Sequence, residues 1–183
     1  MIPHAGRGRY VPAVQRVCVV GSPGAGKSTF AAALARQTGL PLIALDRHYW
    51  RPGWVAAGPD EWTATVTALA AGPRWIIDGN YGGTAALRFA RADTIIVLDL
   101  PRTVTIPGVL RRTLRNWHRC VQADGCPERL DLEFLRFVWR WPQDGRLRLL
   151  AKLEHVDRAV AVIRLSSREE SERYLAGRAS LAG

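Results

Sequence analysis

Residues 21–28, Gly-Ser-Pro-Gly-Ala-Gly-Lys-Ser, follow the pattern G-x-x-x-x-G-K-[ST]. Small residues let successive backbone N–H groups point toward a phosphate, and the helix expected from Ser28 onward adds its positive dipole end. Lys27 can reach the β- and γ-phosphates of a nucleoside triphosphate, and the Ser28 hydroxyl can bind Mg²⁺. We therefore predict a site for ATP and Mg²⁺ that is formed by Gly21, Ser22, Pro23, Gly24, Ala25, Gly26, Lys27, Ser28 and Thr29.

Three carboxylates that end apolar runs are the next candidates for chemistry. Asp46, Asp78 and Asp99 follow "LIAL", "WII" and "IIVL". Ligands of parallel sheets bind beyond the carboxyl ends of the strands, so these side chains should lie near the phosphates. One is expected to hold Mg²⁺ through water, and another to orient an acceptor hydroxyl or take its proton. Asp99 precedes Leu-Pro, which is more typical of a strand terminus than of a site.

Arginines supply a third group of candidates. Arg111, Arg112 and Arg115 lie off the apolar stripe of a helix predicted over 106–117, just before a polar break. Positive charge at such a place can stabilise the charge that develops on a phosphoryl group in transfer. The alternative is a solvated basic helix face. Arg140 and Arg146, further along, are weaker candidates.

Tryptophans near Asp46 form a candidate acceptor surface. Trp50 directly follows the Asp46 turn and can stack on a ring of the acceptor, as can Trp54 and Trp62. Trp139 and Trp141 lie in a segment rich in Leu and Phe, so we expect them in the core.

One further cluster is compatible with a metal, but only weakly. His118, Cys120 and Cys126 lack the tight Cys pairing of zinc sites, and no fourth ligand is evident. We therefore do not expect zinc.

The elements that position these residues follow from the alternation of apolar runs and helical patterns. Five short strands are expected at 16–20, 40–46, 74–78, 93–99 and 159–165. Helical patterns fill the intervals, and the one over 128–155 is interrupted at Pro142. Because most strands are apolar throughout, both faces of a parallel sheet should be covered. The predicted fold is a three-layer α/β P-loop NTPase with a five-stranded parallel sheet and a short helical lid near 116–130.

Length and charge fit one nucleotide-binding domain. The 183 residues suffice for a single core, which we place at 16–178 after a basic arm at 1–15. The net charge of +10 favours nucleotides, phosphates or nucleic acid as partners. Only Lys27 and Lys152 are lysines, so a lysine inside the glycine-rich loop is notable. Three cysteines make no disulfide framework, and no secretory signal or membrane-spanning run is evident. We expect a cytoplasmic protein that does not enter a membrane.

Several motifs together resemble one family. "GSPGAGKST", "LIALDRHYW", "WIIDGNYGG", "IIVLDLPR", "VLRRTLR" and "CPERLDLEFLRFVWRWP" are similar to stretches of the topology modulation (FlaR-type) proteins, a branch of the adenylate-kinase-like P-loop kinases. The resemblance spans roughly residues 16–176, and its most specific parts are "DGNYGG" and "ERLDLEFLRFVWR".

The resemblance implies roles for particular residues. Nucleoside monophosphate kinases of this group carry D-G-F-P-R, whose Asp holds Mg²⁺ through water and whose Arg grips the acceptor phosphate. Asp78 and Gly79 match, whereas Asn80-Tyr81-Gly82 depart and the arginine is missing. Arg88 is one candidate replacement. Asp46 resembles the Asp that related small-molecule kinases direct toward an acceptor hydroxyl.

The function predicted from all of this is ATP-dependent phosphoryl transfer to a nucleotide, a nucleoside or another small hydroxylated acceptor. Lys27, Asp46, Asp78 and the three arginines would be catalytic, with Ser28 and Asp78 at the metal. Asp46, Trp50, Asn80, Tyr81 and Arg88 would bind the acceptor. The alternative is a nucleic-acid-linked regulatory ATPase, although no nucleic-acid-reading motif is recognisable. A nucleotide-binding scaffold without turnover is a third possibility, against which the complete Lys27, Ser28 and Asp78 argue.

Overall fold

Five strands form one parallel sheet at the centre of the computed structural model, which describes residues 14–179. The predicted arm at 1–15 therefore lies almost wholly outside the described residues. In chain order the strands are β1 (Arg16–Gly21), β2 (Leu42–Ala44), β5 (Trp75–Asp78), β6 (Thr94–Leu98) and β7 (Ala161–Leu165). Their order across the sheet is β2-β5-β1-β6-β7. The predicted parallel sheet is confirmed.

Helices cover both faces of this sheet. They are α1 (Lys27–Thr38), α2 (Leu45–Tyr49), α3 (Pro59–Ala70), α4 (Ala85–Phe89), α5 (Arg102–Arg115), α6 (Leu132–Arg140), α7 (Gly145–Leu153) and α8 (Arg168–Ala179). A single turn of 3₁₀ helix, Gly82–Thr84, precedes α4. None of these helices is long and apolar enough to cross a lipid bilayer.

Alternation along the strands divides the interior into two cores. Val17 and Val19 of β1 face the core that includes Phe30 and Leu34 of α1. Cys18 and Val20 of the same strand face the opposite core, which α3, α4 and α7 complete. Successive strand residues point to opposite faces, so a strand that is apolar throughout serves both layers. The three-layer arrangement follows directly.

Helix α5 packs on a different face from the one its apolar stripe predicts. Its buried residues are Thr105, Val109 and Thr113, whereas Leu114 and Trp117 are exposed. Gly108 explains the rotation, because a Cβ there would lie 2.3 Å from the backbone oxygen of Gly24. The helix therefore approaches the glycine-rich loop through its smallest side chains.

Two segments near the carboxyl ends of the strands differ from the predicted elements. A hairpin of β3 (Trp50–Arg51) and β4 (Val55–Ala56) follows α2, where the sequence indicated no strands. Residues 116–131, which we call the lid segment, contain no helix but one isolated bridge between Trp117 and Glu128. The hairpin and the lid segment touch each other, since Trp54 Nε1 donates to the oxygen of Pro127 at 3.1 Å.

Candidate active site

Two cavities border the glycine-rich loop of residues 21–28. The larger, which we call the main cleft, has a volume of about 560 Å³. The site residues predicted from the sequence that line the main cleft are Pro23, Gly24, Gly26, Lys27, Ser28, Asp46, Trp50, Asp78, Asn80, Tyr81 and Arg112. The smaller, the side cavity, has a volume of about 380 Å³. The site residues predicted from the sequence that line the side cavity are Gly24, Ala25, Gly26, Thr29, Arg111, Arg112 and Arg115. Most of the residues singled out in the sequence are thus brought together around one loop.

Two of the three glycines with positive φ in the glycine-rich loop also lie against backbone oxygens, which fixes the path of the loop. At Gly21 (φ 129°) a Cβ would lie 2.2 Å from the backbone oxygen of Leu98. At Gly24 (φ 78°) a Cβ would meet the backbone oxygen of Thr105 at the same distance. No L side chain fits either place, so the loop can wrap closely around the start of α1 only with glycine.

Gly21 and Ser22 belong to the loop but do not line either cavity. Ser22 is buried, and its Oγ donates to the oxygen of Leu100 at 3.2 Å. The Ser22 N–H donates to the oxygen of Leu98 at 2.8 Å. These two residues, which we expected among the nucleotide contacts, instead attach the loop to the end of β6.

The Lys27 ammonium lies over the same loop. Its Nζ donates to the backbone oxygens of Gly21 at 3.1 Å and Ser22 at 2.9 Å. Burial lowers the pKa of Lys27, while the negative charges of Asp78 and Asp46 raise it. Two of the three carboxylates predicted at the strand ends, Asp78 and Asp46, therefore act on this ammonium.

Asp78 and Ser28 form the pair best suited to a divalent cation. Asp78 is buried at the end of β5, and its Oδ1 has no hydrogen-bond partner. Burial raises the pKa of this carboxyl, whereas Lys27 and a hydrogen bond from the Ser28 side chain lower it. A buried carboxylate oxygen without a partner, beside a hydroxyl, matches the oxygen ligands that Mg²⁺ prefers.

Asp46 lines the main cleft from the second position of α2. The Tyr81 hydroxyl donates a hydrogen bond of 2.5 Å to Asp46 Oδ1. Burial and the neighbouring Asp46 charge raise the pKa of Tyr81, and a hydrogen bond with the Trp50 side chain lowers it. Tyr81 keeps φ at 36°, a left-handed conformation that non-glycine residues seldom adopt. Asp46, Tyr81 and Trp50 thus form one connected wall.

Asn80 links this wall to the glycine-rich loop. Its Oδ1 accepts from the Gly21 N–H at 2.9 Å, and its Nδ2 donates to the Gly21 oxygen at 2.8 Å. The amide therefore satisfies both backbone groups of Gly21. This places Asn80 as a support of the loop as well as a residue of the main cleft.

Arg88 does not replace the missing acceptor arginine. It is fully buried in α4, and it lines neither cavity. Its guanidinium donates to the backbone oxygens of Gly79 at 2.9 Å and Asn80 at 2.5 Å. The expectation from the sequence is corrected, because these bonds turn the side chain toward the backbone and fix the loop after Asp78.

The three arginines of α5 that the sequence singled out occupy two positions. Arg112 lines the main cleft, with its Nε 3.2 Å from Glu128 Oε1 and its guanidinium over the Phe134 ring. Arg111 and Arg115 are exposed and line the side cavity. Arg112 is therefore the one that faces Lys27 and Asp78.

Several weaker candidates have structural surroundings. Asp99 pairs with Arg146 at 2.9 Å and with Arg164 at 2.5 Å, so both Asp99 and Arg146 lie outside the main cleft. Trp62 is buried in the core, as Trp141 is, whereas Trp139 is exposed, contrary to the prediction of a core position.

The weak metal cluster gains no support. No group of three His, Cys, Asp or Glu residues that could hold a metal occurs between residues 14 and 179. Cys126 is buried and its Sγ donates to the Arg51 oxygen at 3.1 Å, while Cys120 is exposed.

Glu128 is the residue that the sequence left without a role. Its side chain is buried, pairs with Arg112 and accepts from Gln122 Nε2 at 2.7 Å. It lies in the "ERLDLEFLRFVWR" stretch that stood out as specific. The signal in the sequence that could have indicated this role is an acidic residue soon after the arginine-rich helix. Phe134, which stacks under Arg112, belongs to the same stretch.

Comparisons with known proteins agree with this geometry. The family described as ATPase family associated with various cellular activities (AAA) matches residues 17–77, which contain the glycine-rich loop. No curated protein sequence matches the chain. The matched residues run from β1 through the glycine-rich loop to β5.

Two solved structures share the fold. Shikimate kinase from Bacteroides thetaiotaomicron is 15% identical, with a TM-score of 0.53 over 92% of this chain and 98% of that one. Shikimate kinase from Acinetobacter baumannii in complex with shikimate is 16% identical, with a TM-score of 0.55 over 92% of each chain. At these identities the likeness shows the fold, and the predicted P-loop kinase architecture is confirmed.

Proposed function

We propose that this protein is an ATP-dependent phosphotransferase that moves the γ-phosphoryl group of ATP to a hydroxyl of a small molecule. The single observation that carries the proposal is the main cleft, where Lys27, Ser28 and Asp78 face Asp46 and Arg112 across one space. A nucleotide-binding module alone needs the first three residues. It has no use for a second carboxylate and an arginine opposite them.

The donor side is built from the glycine-rich loop. Backbone N–H groups of residues 24–28 would hold the phosphates, and Lys27 would leave its loop carbonyls to bind the β- and γ-phosphates. Ser28 and Asp78 would hold Mg²⁺, which when bound neutralises phosphate charge. The side cavity, with Arg111, Arg115 and Thr29, would take the nucleoside part of ATP.

The acceptor side provides the base. Asp46 takes the proton of the acceptor O–H while the acceptor oxygen forms its bond to the γ-phosphorus. The bond between the γ-phosphorus and the β,γ-bridging oxygen breaks, and the electron pair of that bond leaves with ADP. Tyr81 holds Asp46 in place through its hydroxyl. Arg112 supplies positive charge to the transferring group.

The family and the cellular location of the protein are part of the same proposal. The "DGNYGG" and "ERLDLEFLRFVWR" stretches support membership in the topology modulation (FlaR-type) branch of the P-loop kinases. We place the enzyme in the cytoplasm, where ATP is supplied. DNA-dependent ATP hydrolysis without an acceptor is the outcome that would favour the regulatory ATPase instead.

A coupled ADP-release assay tests the proposal. Wild type is incubated with Mg²⁺ and ATP against nucleosides, nucleotides, sugars and other polyols, with Lys27→Ala as the blank. Lys152→Ala is the matched control, since it removes the other lysine, which is exposed and lines neither cavity. The proposal expects acceptor-dependent release in wild type and Lys152→Ala only. ATP binding without acceptor-dependent release anywhere in the panel would contradict it.

A further inference from the structure

The charged groups of the main cleft leave little positive charge for an anionic acceptor. The cations that line it are Lys27, Arg112 and Arg129. The carboxylates that line it are Asp46, Asp78, Glu128 and Asp131. Asp78 would hold Mg²⁺, Glu128 pairs with Arg112, and Asp131 accepts from backbone N–H groups of α6. Asp46 is thus the negative charge that would repel a phosphate or carboxylate on the acceptor.

Two of the three cations in the main cleft already have partners. Lys27 lies on the glycine-rich loop, and Arg112 is paired with the buried Glu128. Arg129 is an exposed residue of the lid segment, two residues before Asp131. None of the three belongs to the wall around Asp46.

That wall, which we call the acceptor wall, consists of Asp46, Trp50, Trp54, Gly79, Asn80 and Tyr81. It contains no cation. The arginines near it in the chain do not line it. Arg47, next to Asp46, is exposed and lines neither cavity. Arg88 is buried on backbone oxygens, and exposed Arg51 pairs with Glu61. A binding site for an acceptor phosphate normally contains at least one arginine or lysine.

Aromatic rings take the place of charge. Trp50 and Trp54 lie edge to face with their ring centroids 5.5 Å apart, and both are only partly buried. Phe134 and Phe137 line the same cleft from α6. Trp50 also contacts Tyr49 edge to face at 4.8 Å, which fixes its ring. Pre-positioned indole and phenyl faces bind the flat or C–H-rich face of a ring, and they do so without charge.

We propose that the acceptor is a neutral, ring-bearing hydroxyl compound, which stacks against Trp50 and Trp54 and presents its hydroxyl to Asp46. A phosphate or carboxylate on the acceptor would find no cation on this wall and would lie beside the Asp46 carboxylate. The inference rests on the proposed phosphotransferase activity and names the class of substrate for that same site.

Matched pairs of probes test the inference, because each pair differs only by one negative group. The pairs are adenosine and AMP, glucose and glucose 6-phosphate, and methyl shikimate and shikimate. Binding is measured by saturation-transfer NMR on the full chain with Mg²⁺ and a saturating non-hydrolysable ATP analogue, which blocks the donor site. Phosphorylation is measured in parallel with Mg²⁺ and ATP. The neutral member of at least one pair should bind at least about tenfold more tightly than its charged partner.

Trp50→Leu and Trp139→Leu provide the control. Trp50→Leu should weaken binding of the neutral probe about tenfold. Trp139→Leu should leave it unchanged, because Trp139 is an exposed tryptophan that lines neither cavity. Equal weakening by both variants, or none by either, would overturn the stacking role.

The remaining outcomes separate the inference from the proposed function. Tighter binding or faster phosphorylation of charged probes would overturn the inference and leave the phosphotransferase intact. Loss of that preference in Arg129→Ala would then identify the lid arginine as the anion site. Neutral binding that depends on Trp50, with no phosphorylation of any probe, would support the acceptor class and count against the activity. Absence of binding by every neutral probe would overturn the inference.

Discussion

The Tyr81 hydroxyl donates a hydrogen bond of 2.5 Å to the Asp46 carboxylate, which joins the loop after β5 to helix α2 after β2. The bond holds a carboxylate on a five-residue helix in one orientation toward the main cleft. Its donor sits at positive φ, and a conformation of that kind persists only where the surroundings impose it. Tyr81 is therefore a positioning residue for Asp46.

Tyr81→Phe should reduce kcat/KM for the acceptor by about tenfold, because the ring stays while Asp46 loses its donor. KM for ATP should not change. Steady-state kinetics with both substrates varied check this. Tyr174→Phe is the matched control, since its hydroxyl accepts from Arg178 at 3.0 Å away from both cavities. A rise in the ATP KM of Tyr81→Phe equal to its loss in acceptor kcat/KM would refute the assignment.

Glu128→Gln should lower kcat about tenfold while the protein stays folded. Glutamine keeps an oxygen for Gln122 but loses the charge that holds the Arg112 guanidinium in the main cleft. The control is Asp144→Asn, which breaks the exposed pair with Arg140 and should leave kcat alone. Circular dichroism and kcat on the purified variants are the measurements. Unchanged kcat in Glu128→Gln would show that Arg112 needs no partner.

Asn80→Ala should weaken ATP binding about tenfold and lower the free energy of unfolding by roughly 1–3 kcal/mol, since two hydrogen bonds to Gly21 are lost. Asn80→Asp should do no better, because it sets an oxygen against the Gly21 carbonyl. Calorimetric ATP titration and urea unfolding measure the two effects. Normal ATP affinity in both variants would mean that the glycine-rich loop keeps its shape without Asn80.

Asp99→Asn should lower stability without affecting activity, and Asp46→Asn should abolish activity with little effect on stability. Asp99 is a buried carboxylate shared by Arg146 and Arg164, so Asp99→Asn should cost roughly 2–4 kcal/mol of unfolding free energy with kcat unchanged. Asp46→Asn should abolish phosphoryl transfer with little loss of stability. Urea unfolding and kcat on both variants decide. A catalytic defect in Asp99→Asn at full stability would reverse the roles of the two carboxylates.

The glycine-rich loop and the strands could be predicted from the sequence, because both depend mainly on neighbouring residues in the chain. The order Gly-Ser-Pro-Gly-Ala-Gly-Lys-Ser admits few backbone paths. Short apolar runs that alternate with helical patterns favour buried parallel strands, and the predicted sheet is confirmed. Asp46 and Asp78 met in one cleft because parallel strands end at the same edge, whereas Asp99 is paired with two arginines outside it. That much needs no knowledge of long-range contacts.

The errors arose where a tertiary contact decides the outcome. Arg88 looked free on a short helix, but its partners are backbone oxygens nine and eight residues earlier, which periodicity does not show. The stripe of α5 was misplaced because Gly108 draws the helix onto Gly24. Glu128 gained its role only when the lid segment brought it to Arg112, sixteen positions back in the chain.

The fate of the γ-phosphoryl group tests the central claim most directly. ATP labelled in that group is incubated with Mg²⁺, wild type and a neutral ring-bearing acceptor, and the products are separated. The account predicts label on the acceptor hydroxyl in wild type, and none in Asp46→Asn although that variant still binds ATP. Label found only as inorganic phosphate, at the same rate with and without Asp46, would contradict it.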